Sequence, residues 1–141
     1  DDFEELLDFI RVQRFSRVGA FTYFNEEGTL AADLPGQVPE LKRLERQKRL
    51  MQTQAPISLS AHQALIGKTV RVLVDGSSEE NELVLCGRMA NQAPEVDGQV
   101  FLDETPEEVR AGQFQDVRIT RVSEYDLVGK VVSAKSDSMG L

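Results

Sequence analysis

The chain of 141 residues has one cysteine, Cys86, one histidine, His62, and no tryptophan. A single cysteine rules out an internal disulfide, and such sparse use of cysteine is typical of a reducing compartment. His62 has no cysteine, histidine or carboxylate cluster at ligand spacing around it, so no metal site is predicted and we expect it to face solvent on a helix. Cys86 ends an apolar run and is expected to be a buried core residue, because free cysteine behaves as a small hydrophobe.

Long hydrophobic runs and a leader segment are also missing. No apolar stretch approaches the length that spans a bilayer, so no membrane association is predicted. The sequence starts at Asp1 without an initiator methionine or an apolar secretory segment. We therefore expect a fragment of a longer cytoplasmic protein.

The net charge of −8 is distributed unevenly along the chain. Residues 1–38 carry −5, residues 39–66 carry +3, residues 67–134 carry −6, and the tail is neutral. Nucleic-acid binding relies on lysine and arginine to neutralise phosphates, so the acidic C-terminal half fits that role poorly. It fits a basic protein partner better, with simple solubility as the alternative.

The first third of the chain reads as one helix and one strand. Apolar residues at helical spacing predict an amphipathic helix over residues 1–14, with acidic residues at its start and arginines at its end. Residues 18–24 form a buried-type strand pattern, and residues 25–38 contain the glycines and proline of a loop. A helix followed by an apolar strand is one step of a larger layered or barrel fold.

A basic helical segment connects this piece to the second half. Its lysines and arginines concentrate in residues 42–49, which could contact RNA, although a solvated helix face is the commoner explanation. Pro56 is expected to break or kink the helix. A second short helix over residues 58–66 would then end at Gly67, a good C-terminal cap.

From Lys68 onward the pattern changes to short strands. Alternating, β-branched runs separated by turn residues predict five strands within about 65 residues, at 69–75, 82–86, 99–102, 115–122 and 125–132. Five short strands suggest a small closed antiparallel barrel, because closure removes exposed edges.

Three charged side chains, Arg88, Glu95 and Asp97, lie on an excursion between two of these strands. Pro94 prevents simple continuation of the strand and Asp97-Gly98 supplies a turn. This region and a later string resemble the C-terminal TRAM domain of the RimO family, methylthiotransferases that modify an aspartate in a small-subunit ribosomal protein. The matching strings are Gly87-Arg88, Ala93-Pro94-Glu95-Val96-Asp97-Gly98 with Val100, and Glu124-Tyr125-Asp126-Leu127-Val128-Gly129.

The first third carries the same resemblance. Phe21-Thr22-Tyr23-Phe24-Asn25-Glu26-Glu27-Gly28-Thr29 is similar to the end of the radical S-adenosylmethionine barrel of methylthiotransferases, where an aromatic strand runs into a Glu-Glu-Gly-Thr loop. Ile57-Ser58 and Gly67-Lys68 resemble the family's entry into TRAM. The likeness covers residues 1–133.

The resemblance implies an α+β chain of four parts. Residues 1–38 would be the last αβ element of a TIM-like radical S-adenosylmethionine barrel, residues 39–66 a helical connector, residues 67–134 a five-stranded antiparallel TRAM β-barrel, and residues 135–141 a tail. The intact enzyme would use two iron–sulfur ([4Fe–4S]) clusters and S-adenosylmethionine. The cluster cysteines of the family have no counterpart here, so the fragment is expected to hold no cofactor or metal, to contain no catalytic residue and to be inactive.

Two sets of candidate binding residues follow. Glu27, Gly28 and Thr29 follow the end of a barrel-type strand, where such barrels place active-site loops, and are expected to border the cofactor. The alternative is a solvated turn. Arg88, Glu95 and Asp97 are expected to bind the basic ribosomal protein through charge-assisted hydrogen bonds, the alternative being an internal pair of Arg88 with a carboxylate.

Two other function classes stay open at this point. One is a fragment of a tRNA methylthiotransferase whose TRAM domain binds RNA. The other is a non-catalytic TRAM-type binding module. If the chain is part of a RimO-type enzyme, we expect contact with the ribosome. Direct binding to RNA is the less favoured expectation.

Overall fold

The computed structural model describes residues 2–79, 81–94 and 96–132. Glu95 and the tail predicted at residues 135–141 lie outside the described residues. The chain divides into two compact units, Asp1–Ser58 and Leu59–Leu141.

The first unit begins with helix α1, Asp2–Gln13. Its first turn is acidic and Arg11 stands in its last turn, an arrangement that the helix dipole favours. Phe3, Leu7 and Ile10 repeat at helical spacing and are buried against apolar residues of the second helix. The helix predicted over residues 1–14 is therefore present.

The strand predicted at residues 18–24 is not formed within the described part of the chain. A strand needs a neighbour whose carbonyls accept hydrogen bonds from its amides and whose amides donate to its carbonyls. Residues 18–24 lie beside a helix instead of another strand. Side chains of that helix supply the donors. Within residues 18–24, the Gln47 amide donates to the Ala20 carbonyl at 2.7 Å, and the Arg43 guanidinium donates to the Tyr23 carbonyl. Just before this segment, the Gln54 amide donates to the Phe15 carbonyl at 2.6 Å. The Ser58 hydroxyl donates to Ser16, at 3.0 Å.

Helix α2, Glu40–Gln63, is continuous through Pro56. The predicted break at Pro56 and the separate helix over residues 58–66 are therefore wrong. Leu50, Gln54 and Ile57 are buried on one face, so tertiary packing on both sides of the exposed proline outweighs the loss of one backbone hydrogen bond. Beyond the helix, Gly67 takes a positive φ of 80°, which suits a residue that ends a helical segment.

The second unit is built on a closed five-stranded barrel. Its strands are β1 (Thr69–Ser77), β2 (Leu85–Arg88), β3 (Val100–Asp103), β4 (Phe114–Val122) and β5 (Leu127–Val131), in the order β1-β2-β3-β5-β4. The predicted closed barrel and the α+β class are thereby confirmed.

One pairing in the barrel differs from the antiparallel arrangement that the sequence suggested. β3 and β5 run parallel, with Val100 opposite Leu127, while the other four pairs are antiparallel. Five strands that close a ring cannot all alternate in direction, because an odd number leaves one parallel pair. The alternation of the strand pattern therefore predicts the strands but not their order around the ring.

The barrel interior is filled by one apolar cluster. Inward positions alternate with outward ones along β1 and β4, as a pleated strand requires. The buried members are Val72, Val74, Met89, Val100, Leu102, Val109, Val117, Ile119 and Leu127. Because this core is mostly aliphatic, the polar loops at the barrel rim are the places where specific contacts can be built.

Candidate functional site

Arg88 ends β2 and forms an ion pair with Asp75 of β1. Their side chains are 30% and 36% exposed, so the pair is near the surface and adds at most about 1 kcal/mol to stability. Its larger effect is to fix the direction of the guanidinium group. This is the internal pair that the sequence left open, with a partner on β1 and not on the loop.

The loop of residues 90–99, hereafter the β2–β3 loop, is held from inside by Gln92. This glutamine is 5% exposed. Its Oε1 accepts a hydrogen bond from the Met89 amide at 2.8 Å, and its Nε2 donates to the Gly98 carbonyl. One buried side chain thus joins the two ends of the loop.

Asp97 closes the same loop from the outer side. Its Oδ2 accepts from the Ala93 amide at 2.8 Å, and its own amide donates to the Ala93 carbonyl at 3.1 Å. A carboxylate that accepts a backbone amide forms a charge-assisted bond, stronger than a neutral one. Asp97 therefore holds Ala93 close to itself through two hydrogen bonds.

Gly98 lies where two of the family strings come into contact. A Cβ at this position would lie 1.9 Å from the carbonyl oxygen of Tyr125 and 2.9 Å from Oδ1 of Asp126, closer than any side chain can approach. Next to it, the Gln99 amide donates to Asp126 Oδ1 at 2.9 Å. The string that ends at Gly98 and the string around Tyr125 and Asp126 are thus in direct contact.

A cavity of about 180 Å³ lies beside the loop, lined by the Arg88–Asp75 pair, Asp97 and Gln99. Cys86 also lines it and is only 5% exposed, as expected for a core residue. Burial raises the pKa of the Cys86 thiol, and the carboxylates of Asp75 and Glu79 raise it further. The thiol is therefore protonated near neutral pH and is neither a ready nucleophile nor a ready cluster ligand.

His62 is buried, which overturns the expectation that it faces solvent. It is 4% exposed, and its Nδ1 lies 2.8 Å from the carbonyl oxygen of Ser123 in the turn between β4 and β5. A carbonyl can only accept, so Nδ1 carries the proton in this contact. Polar character alone could not predict this burial, because the carbonyl partner is 61 positions away in sequence.

The residues predicted to border a cofactor form a small turn on the first unit. The Thr29 hydroxyl donates to the Glu26 carbonyl at 2.8 Å and accepts from the Ala32 amide at 3.3 Å. Gly28 has the positive φ of 83° that a tight turn favours, and no atom lies within 4 Å of where its Cβ would be. Glu27 is exposed beside it, so all three residues stand on one open surface turn.

The basic run of residues 42–49 is not simply a solvated face. The guanidinium groups of Arg46 and Arg49 lie 5.3 and 5.2 Å from the ring centroid of Phe3, and Arg49 pairs with Glu4 at 2.8 Å. Cation–π contacts and an ion pair therefore use part of this charge to attach α1 to α2. Lys42 is engaged as well, with Glu45 at 3.0 Å, and its ammonium group lowers the pKa of the Glu45 carboxyl.

Comparison with known proteins agrees with the family resemblance of the two sequence strings that meet at Gly98. Residues 66–132 match the family model of the TRAM domain. The chain is 47% identical over 139 residues to the ribosomal protein uS12 methylthiotransferase RimO of Sorangium cellulosum, a match that covers 99% of this chain and 28% of that protein. The chain is therefore similar to RimO proteins over nearly its whole length, and residues 66–132 match a TRAM domain.

Other relatives with the same name give the same result. Identity is 48% over 132 residues to RimO of an Anaeromyxobacter species and 45% over 132 residues to RimO of Geotalea uraniireducens, each covering 94% of this chain. The chain spans 28–29% of the length of these relatives. The resemblance drawn from the strings is confirmed.

Within residues 2–79, 81–94 and 96–132, no three histidine, cysteine, aspartate or glutamate side chains converge to hold a metal ion. Neither α1 nor α2, the helices of the described part, is apolar enough over a sufficient length to cross a bilayer. Cys86 is a single buried thiol, whereas an iron–sulfur cluster is held by several cysteine thiolates. The described residues therefore do not fit a cluster.

The sequence missed three residues that build the TRAM loop region: Asp75, Gln92 and Asp126. Asp126 lies within a family string and Gln92 lies within the excursion between strands. The sequence analysis covered both positions but assigned neither residue a role. Asp75 had no such signal, because its pairing with Arg88 depends on how β1 and β2 align.

Proposed function

We propose that this chain is part of a radical S-adenosylmethionine methylthiotransferase that attaches a methylthio group to the β-carbon of an aspartate in ribosomal protein uS12. The observation that carries the proposal is the 45–48% identity, over 94–99% of the chain, to proteins named for that activity. In this proposal the TRAM barrel docks the protein substrate in the cytoplasm. The radical chemistry belongs to parts of the longer enzyme outside this chain.

The surface around the β2–β3 loop suits a basic protein partner. Asp97 and Asp126 both lie at the loop, and Asp75 lines the neighbouring cavity with Arg88. Complementary charge accelerates encounter and selects partners, more than it adds affinity. We assign substrate binding to this surface, with Arg88 and Asp97 as members that also shape it, and with Glu95 as the third predicted member.

The first unit suits the role of a barrel end. Its helix α1 buries one apolar face and exposes a second, on which Leu6, Phe9 and Val12 are 42%, 51% and 75% exposed. Exposed apolar patches of this kind commonly mark contact surfaces. We propose that residues 1–38 close the radical S-adenosylmethionine barrel, that residues 39–66 connect it to the TRAM barrel of residues 67–134, and that residues 135–141 are a tail.

The cofactors belong to the longer enzyme in this proposal. Two iron–sulfur clusters would receive their cysteine ligands from outside this chain, and S-adenosylmethionine would supply the radical when bound there. The exposed turn of Glu27, Gly28 and Thr29 would border that cofactor. Its open side, with no atom within 4 Å of the missing Gly28 Cβ, leaves space for such an approach.

A second candidate rests on one observation on the barrel wall. Arg71 lies 5.5 Å from the ring centroid of Phe114, which is 61% exposed, and Arg118 is an outward residue of the adjacent strand β4. Exposed aromatic rings and guanidinium groups are what single-stranded RNA binds. A tRNA methylthiotransferase with an RNA-binding TRAM barrel would use this wall.

Binding of purified uS12 to the 141-residue chain tests the proposal. Titration of labelled uS12 should give saturable binding that weakens as salt increases, because the contact is between opposite charges. An unmodified tRNA, titrated in parallel, should bind much more weakly. Tight tRNA binding together with no uS12 binding would refute protein docking and favour the second candidate.

Charge at the loop can be tested without destroying its shape. Asp97→Asn keeps an oxygen that can accept from the Ala93 amide but removes the negative charge. We expect uS12 affinity to fall by about three- to tenfold, the effect of one partly exposed charge in a complementary interface. Glu108→Gln, an exposed acid between β3 and β4, is the matched control and should leave the affinity unchanged.

A further inference from the structure

A cavity of about 180 Å³ lies on the first unit, between helix α2 and the non-helical residues 20–23. Aromatic and aliphatic side chains, among them Phe3 and Leu50, form much of its wall. The charged groups at this cavity are the guanidinium groups of Arg43 and Arg46, and none of the described residues that line it carries a carboxylate. We call this cavity the arginine pocket. Its lining favours a negatively charged group with an apolar body.

Arg43 has hydrogen-bond donors to spare in this pocket. Its Nη1 donates to the Tyr23 carbonyl, and its guanidinium group lies 5.8 Å from the centroid of the Tyr23 ring. Its Nε is buried without a hydrogen-bond partner, and Arg43 has no ion pair within the described part of the chain. A guanidinium group carries five N–H donors, and a buried donor that stays unbonded costs free energy. A partner that accepts hydrogen bonds from Arg43 would recover that cost.

Two neighbouring cations of α2 are already engaged. Lys42 pairs with Glu45 at 3.0 Å, and Arg49 pairs with Glu4 at 2.8 Å. The pKa of the Glu45 carboxyl is lowered chiefly by Lys42 and further by Arg49, so cationic groups dominate the potential along this segment. Neither Glu45 nor Glu4 lines the arginine pocket, so neither neutralises Arg43 there.

The donors and the walls of the pocket match a carboxylate. The two oxygens of a carboxylate lie in one plane and can accept two parallel N–H bonds from one guanidinium group. A phosphate group has more oxygens to satisfy, and aromatic and aliphatic walls supply no donors for them. Carbon groups that carry the carboxylate would lie against Phe3 and Leu50, where burial of apolar surface adds affinity.

We propose that the arginine pocket binds a carboxylate carried on a short apolar stem, with Arg43 as the residue that holds the carboxylate and Arg46 as a second source of positive charge. The proposal goes beyond the function proposed above and does not depend on the docking of uS12. A free short-chain acid and a glutamate side chain of a polypeptide both present this chemistry.

Titration of the 141-residue chain with butyrate, followed by nuclear magnetic resonance of the arginine Nε–H groups, tests the proposal. The Arg43 signal should shift in a saturable way, with a dissociation constant of about 1 mM for one charge-assisted contact with modest apolar burial. Butylamine has the same stem with the opposite charge and should cause no shift. Dimethyl phosphate should bind at least about fivefold more weakly than butyrate, because its oxygens find fewer donors.

A glutamate blocked at both backbone ends distinguishes the two sources of the carboxylate. Binding at least as tight as that of butyrate identifies a polypeptide side chain as the source, because the blocked backbone is then accepted at the mouth of the pocket. Binding at least about tenfold weaker, a difference of about 1.4 kcal/mol, identifies a free acid.

Three variants test the role of Arg43. Arg43→Gln removes the charge and should weaken butyrate binding at least about tenfold. Arg43→Lys keeps the charge without the planar fork and should weaken it about threefold or more. Lys48→Gln removes the same charge from an exposed position of α2 and should leave the affinity unchanged. Thermal unfolding verifies that each variant is folded, and Arg43→Lys serves as the test if Arg43→Gln is not.

The outcomes are distinct from those of the uS12 titration. Saturable binding of butyrate that is weakened by both Arg43 variants and not by Lys48→Gln supports the arginine pocket, whether or not uS12 binds. Absence of a saturable shift, equal binding of dimethyl phosphate, or equal weakening by Arg43→Gln and Lys48→Gln would overturn it. In the last case the effect would come from the general charge of the helix and not from a site.

Discussion

Asp97 and Asp126 each accept a backbone amide within the same loop region, at 2.8 and 2.9 Å. An aspartate in a polar string invites assignment as a contact residue, yet these two carboxylates are first of all structural. Sequence could predict that the Asp97-Gly98 pair forms a turn, since both residue types favour turns. It could not predict that Gly98 packs against Tyr125, because that contact joins positions 27 residues apart along the chain.

Gly98→Ala tests this close approach. A Cβ placed 1.9 Å from the Tyr125 carbonyl oxygen forces the β2–β3 loop and the segment before β5 apart. We expect the free energy of unfolding to fall by about 3 kcal/mol or more, the range of severe overpacking. Urea unfolding followed by circular dichroism measures it.

Gly19→Ala is the comparison for that experiment, because no atom lies within 4 Å of the added carbon and the backbone has no positive φ there. Its effect should be within about 0.5 kcal/mol of zero. Equal stability of Gly98→Ala and wild type would contradict the contact between the two strings.

At the scale of elements, local pattern succeeded where neighbours in sequence decide the structure. The β-branched alternation of β1 and β4 predicted both strands to within two residues at each end. It failed at residues 18–24, where the carbonyls of Ala20 and Tyr23 accept hydrogen bonds from Gln47 and Arg43 of α2 in place of a strand. A strand signal states that the side chains suit a sheet, but it cannot supply the partner.

Pro56 is a second failure of local rules, because α2 continues through it. Proline lacks the amide that would donate to the carbonyl of Gln52, so one helical hydrogen bond is missing. Its side chain is exposed, and little packing is lost when it is replaced. The helix tolerates Pro56 because its apolar face is buried on both sides.

Pro56→Ala should therefore stabilise α2. It restores the missing donor and introduces the best helix former, with an expected gain of about 1 kcal/mol or more in the free energy of unfolding. Thermal unfolding monitored at 222 nm is the measurement. Gln52→Ala, an exposed change in the same helix, serves as control and should shift stability by less than about 0.5 kcal/mol. A lower melting temperature for Pro56→Ala would mean that the proline ring makes a contact that alanine cannot replace.

At the scale of the whole chain, the uneven charge is partly neutralised inside each unit. In the first unit, Arg49 of the basic segment pairs with Glu4 of the acidic helix α1. In the barrel, Lys130 pairs with Glu104 at 2.7 Å, and that carboxylate raises the pKa of the lysine. The composition predicted which segments are acidic and which segment is basic. Only the fold determines which of these charges already form ion pairs within the chain.

The two units differ in how their backbone amides are hydrogen-bonded, and hydrogen exchange should detect this difference. The barrel closes every strand against two neighbours, whereas within the described residues the amides of residues 18–24 donate no backbone hydrogen bond. Local opening of such a segment costs little free energy, because few bonds must be broken. We expect the amides of residues 1–38 to exchange faster than those of β1 and β4, by factors of about 100 or more for the most protected strand positions. Protection of residues 18–24 equal to that of the barrel strands would mean that the segment has a backbone partner in solution, and would remove the reason for treating the first unit as the less stable one.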